Sequence, residues 1–276
     1  MTTTISPTAP AAPVAAVRAR RAGFVADVAS VAGRAVRSIP REPEGVIPAI
    51  IVPLFFFTVN IGSLSNIAGQ VPDPTFSYKA FQLPVAIIFA VTGVSRASTL
   101  VTDIQDGYFD RLTLTPIRRP ALLLGLMVAD FVLVVALSIP VVILGLIVGV
   151  RFETGPVGMV AFVLLGALWG IVFTGFPYAI ALKTGSPAAV NSSFILFFPF
   201  AFLTTAFAPR PFLTGWMATV VAWNPVTYLL EGMRSLVMVG WVWADLGEAL
   251  LAIALVGVVS WGLCLAAFRG RIRAGA

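Results

Sequence analysis

The stretch TDIQDGYFDRLTLTPIRRPALLLG, residues 102–125, separates two long apolar runs and carries three aspartates and three arginines. Within it, Ile104, Tyr108 and Leu112 recur every four residues and share one face of a helix, and a Thr-Pro pair ends the pattern. We therefore predict a short cytoplasmic helix over residues 103–114. Aromatic side chains among acids are typical of a contact surface. The helix is predicted to dock on a partner, and simple connection of the two apolar runs is the alternative.

The composition places this stretch in a membrane protein. Hydrophobic residues make up 59% of the 276 residues and charged residues 11%, and the mean hydropathy is +0.98. Such a chain is too apolar to cover a single core with a water-compatible surface. With one cysteine and no histidine, the sequence predicts no internal disulfide, no metal site and no catalytic site of its own. The net charge of +6 is attributed to arginines that flank membrane segments, so no nucleic-acid partner is predicted.

Six apolar segments approach or exceed the roughly 20 residues that cross a bilayer. They are residues 46–64, 83–101, 121–150, 156–182, 188–207 and 246–268. Of the 18 lysines and arginines, 13 fall on one side of these segments and 4 on the other. The side richer in positive charge is the cytoplasmic one. The sequence thus predicts an all-α, polytopic protein of the plasma membrane with six transmembrane helices and both termini in the cytoplasm.

The N-terminal part is predicted to stay on the cytoplasmic side. Residues 1–22 lack the apolar core of a signal peptide and are interpreted as a disordered tail. In residues 23–39, apolar side chains recur at helical spacing from Phe24 onward and lie opposite Arg34 and Arg37. This pattern predicts an amphipathic helix in the membrane interface. A water-exposed helix packed on a partner is the alternative.

The segment before the last apolar run has an unusual mixture of hydrophobicity and helix-breaking residues. Residues 206–245 are too apolar for a water-exposed loop, yet prolines and a glycine divide them into pieces too short to cross the bilayer. We therefore predict a re-entrant helical hairpin on the outer side over residues 211–238, with Asn224-Pro225 at its turn.

Four ionisable side chains in these apolar regions need partners, because charges are costly to bury in lipid. Arg96 lies near the end of the second predicted span and Asp130 lies inside the third. Since consecutive spans run antiparallel, we predict that the two pair; extension of Arg96 to the lipid head groups is the alternative. Glu231 and Arg234, three residues apart, form either an intrahelical pair or part of an outer gate.

The chain has no G-x-x-x-x-G-K-[ST] motif, so it does not itself cradle ATP phosphates. The segments DGYFDRLTLTPIRRPALLLG, residues 106–125, and NPVTYLLEGMRSL, residues 224–236, resemble the membrane subunits of type-2 ABC exporters, in particular the daunorubicin-resistance-like permeases of actinobacteria. The positions that match the first family motif are Asp106, Gly107, Asp110, Arg111, Leu112, Thr115 and Pro116. The acid before Arg111 is an aspartate, where members of the family more often have glutamate.

This resemblance implies the partners and the site residues. It implies that the predicted helix is a coupling helix, seated on a separate ATP-binding subunit through Asp103, Asp106, Gly107, Tyr108, Phe109, Asp110, Arg111 and Leu112. It also implies that two permeases, identical or paralogous, pair with two such subunits, which hold ATP and Mg²⁺. The hairpin would close the pathway on the outer side through Asn224, Pro225, Tyr228, Glu231 and Arg234.

The resemblance also implies the function, which is export of a hydrophobic drug or lipid-like compound from an actinobacterial cell. Export of a polysaccharide or lipid-linked glycan is the alternative within the same family. From a different class, a secondary transporter without an ATPase would require carboxylates for a coupling ion near the middle of the membrane. Asp130 is the candidate for that role.

Overall fold

The computed structural model describes residues 23–41, 43–64, 76–92, 94–107 and 119–274. Over these residues the chain forms helices, turns and loops, and no strand. The α-helices are α1 (Phe24–Ser38), α2 (Pro43–Leu64), α3 (Tyr78–Val91), α4 (Ala97–Gln105), α5 (Arg119–Ile147), α6 (Gly155–Thr184), α7 (Pro187–Ser192), α8 (Phe197–Phe202), α9 (Trp216–Trp223), α10 (Pro225–Met238) and α11 (Trp243–Ala274).

Four of the described helices are long and apolar enough to cross a membrane. They contain the segments Gly45–Ser63, Pro120–Ile147, Gly155–Thr184 and Trp243–Arg271. Two shorter apolar stretches, Tyr78–Val91 and Pro187–Phe202, lie in the regions of the second and fifth predicted spans. The prediction of an all-helical protein that crosses the membrane several times is therefore confirmed.

The second predicted span, residues 83–101, differs from one continuous helix. It is divided into α3 and α4, with Thr92 in an extended conformation after α3. The backbone N–H of Arg96, just before α4, donates to Oδ1 of Asp130 at 2.8 Å instead of to a helical carbonyl. A side chain from a neighbouring helix thus stabilises the interruption, which hydrophobic length alone does not reveal.

The fifth predicted span, residues 188–207, is also divided, into α7, a 3-10 turn at Ser193–Leu196, and α8. After α8, the hydroxyl of Thr204 donates to the carbonyl of Ala201 and accepts from the N–H of Ala206. Such local bonds between side chain and backbone compete with the helical pattern. They account for the end of the helix within an otherwise apolar run.

Helix α1 packs along α5 with Val31, Ala32 and Ala35 buried. A Cβ atom on Gly125 of α5 would lie 2.6 Å from Cβ of Val31, so this approach requires a glycine. The apolar face of α1, predicted to lie in the interface or on a partner, thus covers a transmembrane helix of its own chain.

Two apolar clusters make up the interior. The larger one joins α3, α5, α6 and α10 around Leu83 and Trp169, and the smaller one joins α1, α4, α5, α6 and α11 around Leu100 and Tyr178. We call the region around the smaller cluster the α4 end. We call the region that carries α9 and α10 the hairpin end.

Helices α6 and α11 approach each other closely. A Cβ atom on Gly175 would lie 2.7 Å from the backbone carbonyl carbon of Ser260, and the Ser260 hydroxyl donates to the carbonyl of Val172 at 2.5 Å. This contact fixes α11 beside α6, and other residues of both helices line a pocket described below.

Candidate functional site

Helix α4 carries the first residues of the predicted docking segment and is held by three neighbouring elements. Nη2 and Nη1 of Arg34 on α1 donate to the two carboxylate oxygens of Asp103 at 2.7 and 3.3 Å. Nε2 of Gln105 donates to the carbonyl of Gly185, in the turn between α6 and α7, at 2.9 Å. The bidentate contact between Arg34 and Asp103 has a more defined geometry than an ion pair with a single hydrogen bond. The position of α4 therefore depends on both α1 and α6.

Helix α7 supplies the third anchor of α4, because the hydroxyl of Ser98 donates to Oδ1 of Asn191 at 3.2 Å. Since α7 begins the divided fifth segment, a displacement of α4 would reach that segment directly. The sequence pattern did not single out Ser98, Gln105 or Asn191.

The predicted helix over residues 103–114 is interrupted within the part that the structure describes. Helix α4 starts earlier, at Ala97, and its C-cap is Asp106, which precedes Gly107 at φ +66°. A glycine in this left-handed conformation commonly ends a helix. Of the predicted docking residues, Asp103, Asp106 and Gly107 are therefore on and just after α4. The others, Tyr108, Phe109, Asp110, Arg111 and Leu112, lie outside the described residues.

Asp130 is fully buried on α5 and accepts two hydrogen bonds. Its Oδ1 accepts from the backbone N–H of Arg96 at 2.8 Å, and its Oδ2 accepts from the hydroxyl of Tyr178 on α6 at 2.7 Å. The structure thus brings Arg96 and Asp130 together, but this bond comes from the arginine backbone. The guanidinium of Arg96 donates through Nη2 to the hydroxyl of Ser38, at the end of α1.

The side chains of Asp130 and Arg96 join the break between α3 and α4 to α1, α5 and α6. Asp130 connects the break between α3 and α4 to α6, and Arg96 connects the same break to α1. Tyr178 was not a predicted site residue. A tyrosine in the apolar run of α6 is the signal that could have found it, because a buried phenol needs a hydrogen-bond partner.

Asn224 lies between α9 and α10, at the turn of the predicted hairpin, and all of its side-chain polar atoms are used. Its Oδ1 accepts from the backbone N–H of Val226 and caps α10. Its Nδ2 donates to the carbonyls of Phe200 and Leu203 at 2.8 and 2.7 Å. The connection between α9 and α10 is therefore hydrogen-bonded to the C-terminal part of α8 and to the residue after it.

A second polar contact at the hairpin end is an ion pair that the sequence did not predict. Nε of Arg210 lies 2.6 Å from Oε1 of Glu231, and its guanidinium also lies over the ring of Tyr228 at 5.3 Å. The Tyr228 hydroxyl donates to the carbonyl of Ala222 on α9 at 2.6 Å. Partial burial raises the pKa of the Glu231 carboxyl, and the guanidinium of Arg210 opposes that shift.

Arg234 is held by other groups than Glu231, the alternative partner considered from the sequence. The side chain is 8% exposed and donates to the carbonyl of Phe81 at 3.1 Å, to the hydroxyl of Thr205 at 2.8 Å and to the carbonyl of Thr205 at 2.8 Å. The guanidinium carbon also lies 3.5 Å from the centre of the Phe81 ring. Carbonyl dipoles and an aromatic face thus surround this buried cation, and Arg234 joins α10 to α3 and to the loop after α8.

The hydrogen bonds and ion pairs of these sites connect helices to one another. In the part of the chain that the structure describes, no three acidic or cysteine side chains come together as a metal site would require. The polar groups instead join helix breaks and helix ends to neighbouring helices. At the α4 end they join α1, α4, α5, α6 and α7, and at the hairpin end they join α3, α8 and α10.

Comparison with known proteins gives a match over most of the chain. The family model described as ABC-2 type transporter matches residues 28–238. A daunorubicin resistance ABC transporter permease protein from Streptomyces coeruleorubidus is 30% identical over 200 residues, which cover 70% of this chain and 69% of that protein. A probable doxorubicin resistance ABC transporter permease protein from Mycobacterium tuberculosis is 25% identical over 228 residues, covering 82% and 79%. A putative transport permease from Pyropia yezoensis is 26% identical over 234 residues, covering 82% and 76%.

The first prediction concerns the pair formed by Asp130 and Tyr178. Tyr178→Phe removes one hydrogen bond to a buried carboxyl group, which typically contributes about 1.5–3 kcal/mol. Asp130→Leu removes both acceptors and is expected to lower the free energy of unfolding more. Thermal unfolding in detergent of both single variants and of the double variant gives their coupling. We expect the double variant to be about as stable as Asp130→Leu; strictly additive losses would show that the two side chains do not interact.

The second prediction separates the two roles of Asn224. Asn224→Asp keeps the oxygen that caps α10 but replaces the amide donor by an oxygen that faces the carbonyls of Phe200 and Leu203. We expect Asn224→Asp to destabilise the protein at least as much as Asn224→Ala, by about 1–3 kcal/mol, because buried acceptors lose their donor. Thermal unfolding at neutral pH measures this difference. An Asn224→Asp variant with unchanged stability would limit the role of Asn224 to capping.

Proposed function

The chain belongs to the ABC-2 type transporter family, and from this membership we propose that it is the membrane-spanning permease of an ATP-driven exporter of hydrophobic, drug-like compounds. The observation that carries the proposal is the family match over residues 28–238. Two relatives that cover most of the chain have drug-resistance permease names. These names favour a drug-like cargo over the polysaccharide or lipid-linked glycan considered from the sequence. The family also disfavours an ATP-independent secondary transporter.

ABC-2 permeases function with ATP-binding subunits, and this chain has no phosphate-binding loop of its own. We propose a complex of two permeases, identical or paralogous, with two ATP-binding subunits that hold ATP and Mg²⁺. Closure of those subunits can move the membrane part only through a stiff projection. The permease would supply that projection and the pathway.

The segment that begins on α4 is our candidate for the projection. Asp103, Asp106 and Gly107 lie at its start, and the sequence continues with the aromatic and acidic residues of the predicted docking surface. The anchoring of α4 on α1, α6 and α7 supports the proposal, because force applied beyond Gly107 would reach three other elements through hydrogen bonds.

For the topology we propose six crossings with both termini in the cytoplasm. The crossings would be α2, α3 with α4, α5, α6, α7 with α8, and α11, while α9 and α10 form a re-entrant hairpin on the outer side. The distribution of lysine and arginine supports this orientation. It assigns the α4 end to the cytoplasm and the hairpin end to the outside.

We further propose that the hairpin closes the pathway on the outer side. Asn224, Pro225 and Tyr228 would set its turn, while Glu231 and Arg234 would hold it to neighbouring segments. The hydrogen bonds of Asn224 to α8 and of Arg234 to α3 support this role, since both must be carried along or broken when the hairpin moves. Arg96 and Asp130 would stabilise the break near the cytoplasmic side during the same movement.

The third prediction tests the docking surface. The double variant Phe109→Ala/Asp110→Ala removes an aromatic and an acidic contact group, and truncation of central interface groups commonly costs about 1 kcal/mol or more. Co-purification with a tagged ATP-binding subunit and cargo-stimulated ATP hydrolysis should fall together. Phe212→Ala, an exposed aromatic at the hairpin end, is the matched control for assembly and should leave co-purification unchanged. Full complex formation and export by the double variant would contradict the docking assignment.

The fourth prediction tests the orientation. In a Cys264→Ala background, Thr214→Cys and Thr184→Cys each introduce one cysteine at an exposed position, before α9 and at the end of α6 respectively. In intact cells, a membrane-impermeant maleimide should label position 214, while position 184 should react only after permeabilisation. Labelling of position 184 in intact cells would reverse the proposed topology.

A further inference from the structure

A pocket of about 320 Å³ lies between α6, α8, α11 and the turn of the hairpin. Its floor consists of Trp169 and Phe173 on α6, both almost fully buried. Phe176 on the next turn of α6 forms part of the wall, with its ring centre 5.2 Å from that of Phe173 in an edge-to-face arrangement. The indole N–H of Trp169 donates to the hydroxyl of Thr92 at 2.9 Å, so its hydrogen-bonding capacity is already used.

The opposite side of the pocket belongs to α8 and the hairpin. Phe200 and Trp223 line it, and Trp223 is 85% exposed although it adjoins the buried turn. Asn224 directly follows Trp223 and connects it to α8, because its amide donates to the carbonyl of Phe200 at 2.8 Å. The pocket is therefore built on a fixed polar contact and is more than a shallow area of a lipid-facing surface.

The composition of the pocket indicates what it can bind. Five of its nine lining residues are aromatic, whereas aromatic residues make up only 11% of the chain. No lining residue carries a charge, and the remaining residues are proline and aliphatic residues, among them Leu255 and Val259 of α11. Aromatic faces favour other rings in stacked or edge-to-face geometry beyond simple burial of area. An acyl chain has no ring and would not gain this additional aromatic pairing.

We propose that this pocket is a binding site for the flat, uncharged aromatic part of the transported compound. The inference rests on the proposed export function and adds the site and the chemical class of its ligand. The volume of about 320 Å³ lies near the lower end of the range for ligand pockets. It suits a rigid ring system, while polar substituents of the same compound would remain outside. A ligand here would contact both α6 and the hairpin turn.

The test replaces rings by leucine, which keeps an apolar side chain but removes the aromatic face. The full-length chain is reconstituted in lipid vesicles and titrated with pyrene, an uncharged fused-ring hydrocarbon. Saturable binding is read from the fluorescence anisotropy of pyrene, above the non-saturable signal of protein-free vesicles. Phe200→Leu and Trp223→Leu are the test variants. Phe198→Leu is the control, because Phe198 lies on the same short helix with 41% exposure against 43% for Phe200 but does not line the pocket.

Each test variant is expected to weaken pyrene binding about two- to tenfold, the loss of one aromatic pair, while Phe198→Leu stays within about twofold of the unmodified chain. If the unmodified chain shows no saturable binding, or if the leucine variants bind pyrene equally well, the proposal is wrong. No ATP-binding subunit is needed in this assay. A negative result here and a failure of co-purification with that subunit are therefore independent outcomes.

Discussion

The constraint on which the structure depends is that lipid offers no hydrogen bonds to backbone groups. An N–H or C=O that leaves a helix within hydrocarbon costs several kcal/mol unless the protein itself provides a partner. The chain interrupts its helices near residues 92–96 and 203–209 and again between α9 and α10. Near each interruption a buried polar side chain bonds to the backbone, namely Asp130, Arg234 and Asn224 respectively. The unusual residues of this apolar sequence are thus explained by the breaks that they stabilise.

Hydrophobic length and charge predicted the class of the protein, because both follow from transfer of the chain into lipid. They could not predict where helices stop inside an apolar run. The break between α3 and α4 depends on a bond from α5, and the end of α8 depends on the hydroxyl of Thr204, so neither is encoded by local hydropathy. Sequence spacing did place Asn224 between two short helices, because a following proline and flanking apolar pieces mark such a break locally.

The partners of the charged residues were predicted less well, for a related reason. Spacing of three residues suggested Glu231 for Arg234, whereas Glu231 pairs with Arg210 and Arg234 bonds to Phe81 and Thr205. Arginine has five donors on a long side chain, so carbonyls from distant segments can replace a carboxylate. Such partners carry no charge and leave no signal in a single sequence. Tyr178, the partner of Asp130, was missed because one tyrosine in an apolar helix is also compatible with ordinary packing.

The two hydrogen bonds from the Asn224 amide to the carbonyls of Phe200 and Leu203 limit how the segment of α9 and α10 can move. Moving α9 and α10 away while α8 stays in place would leave two carbonyls and an amide without hydrogen-bond partners in a poorly solvated region. The low-cost motion keeps these contacts, so α8 would move together with the turn at Asn224. The C-terminal part of α10 is held elsewhere, because the backbone N–H groups of Glu153 and Thr154 donate to the carbonyls of Val237 and Leu236, and Arg234 donates to the carbonyl of Phe81. A displacement that starts at this turn would therefore reach α8 first, while the far end of α10 stays with α3 and the loop before α6.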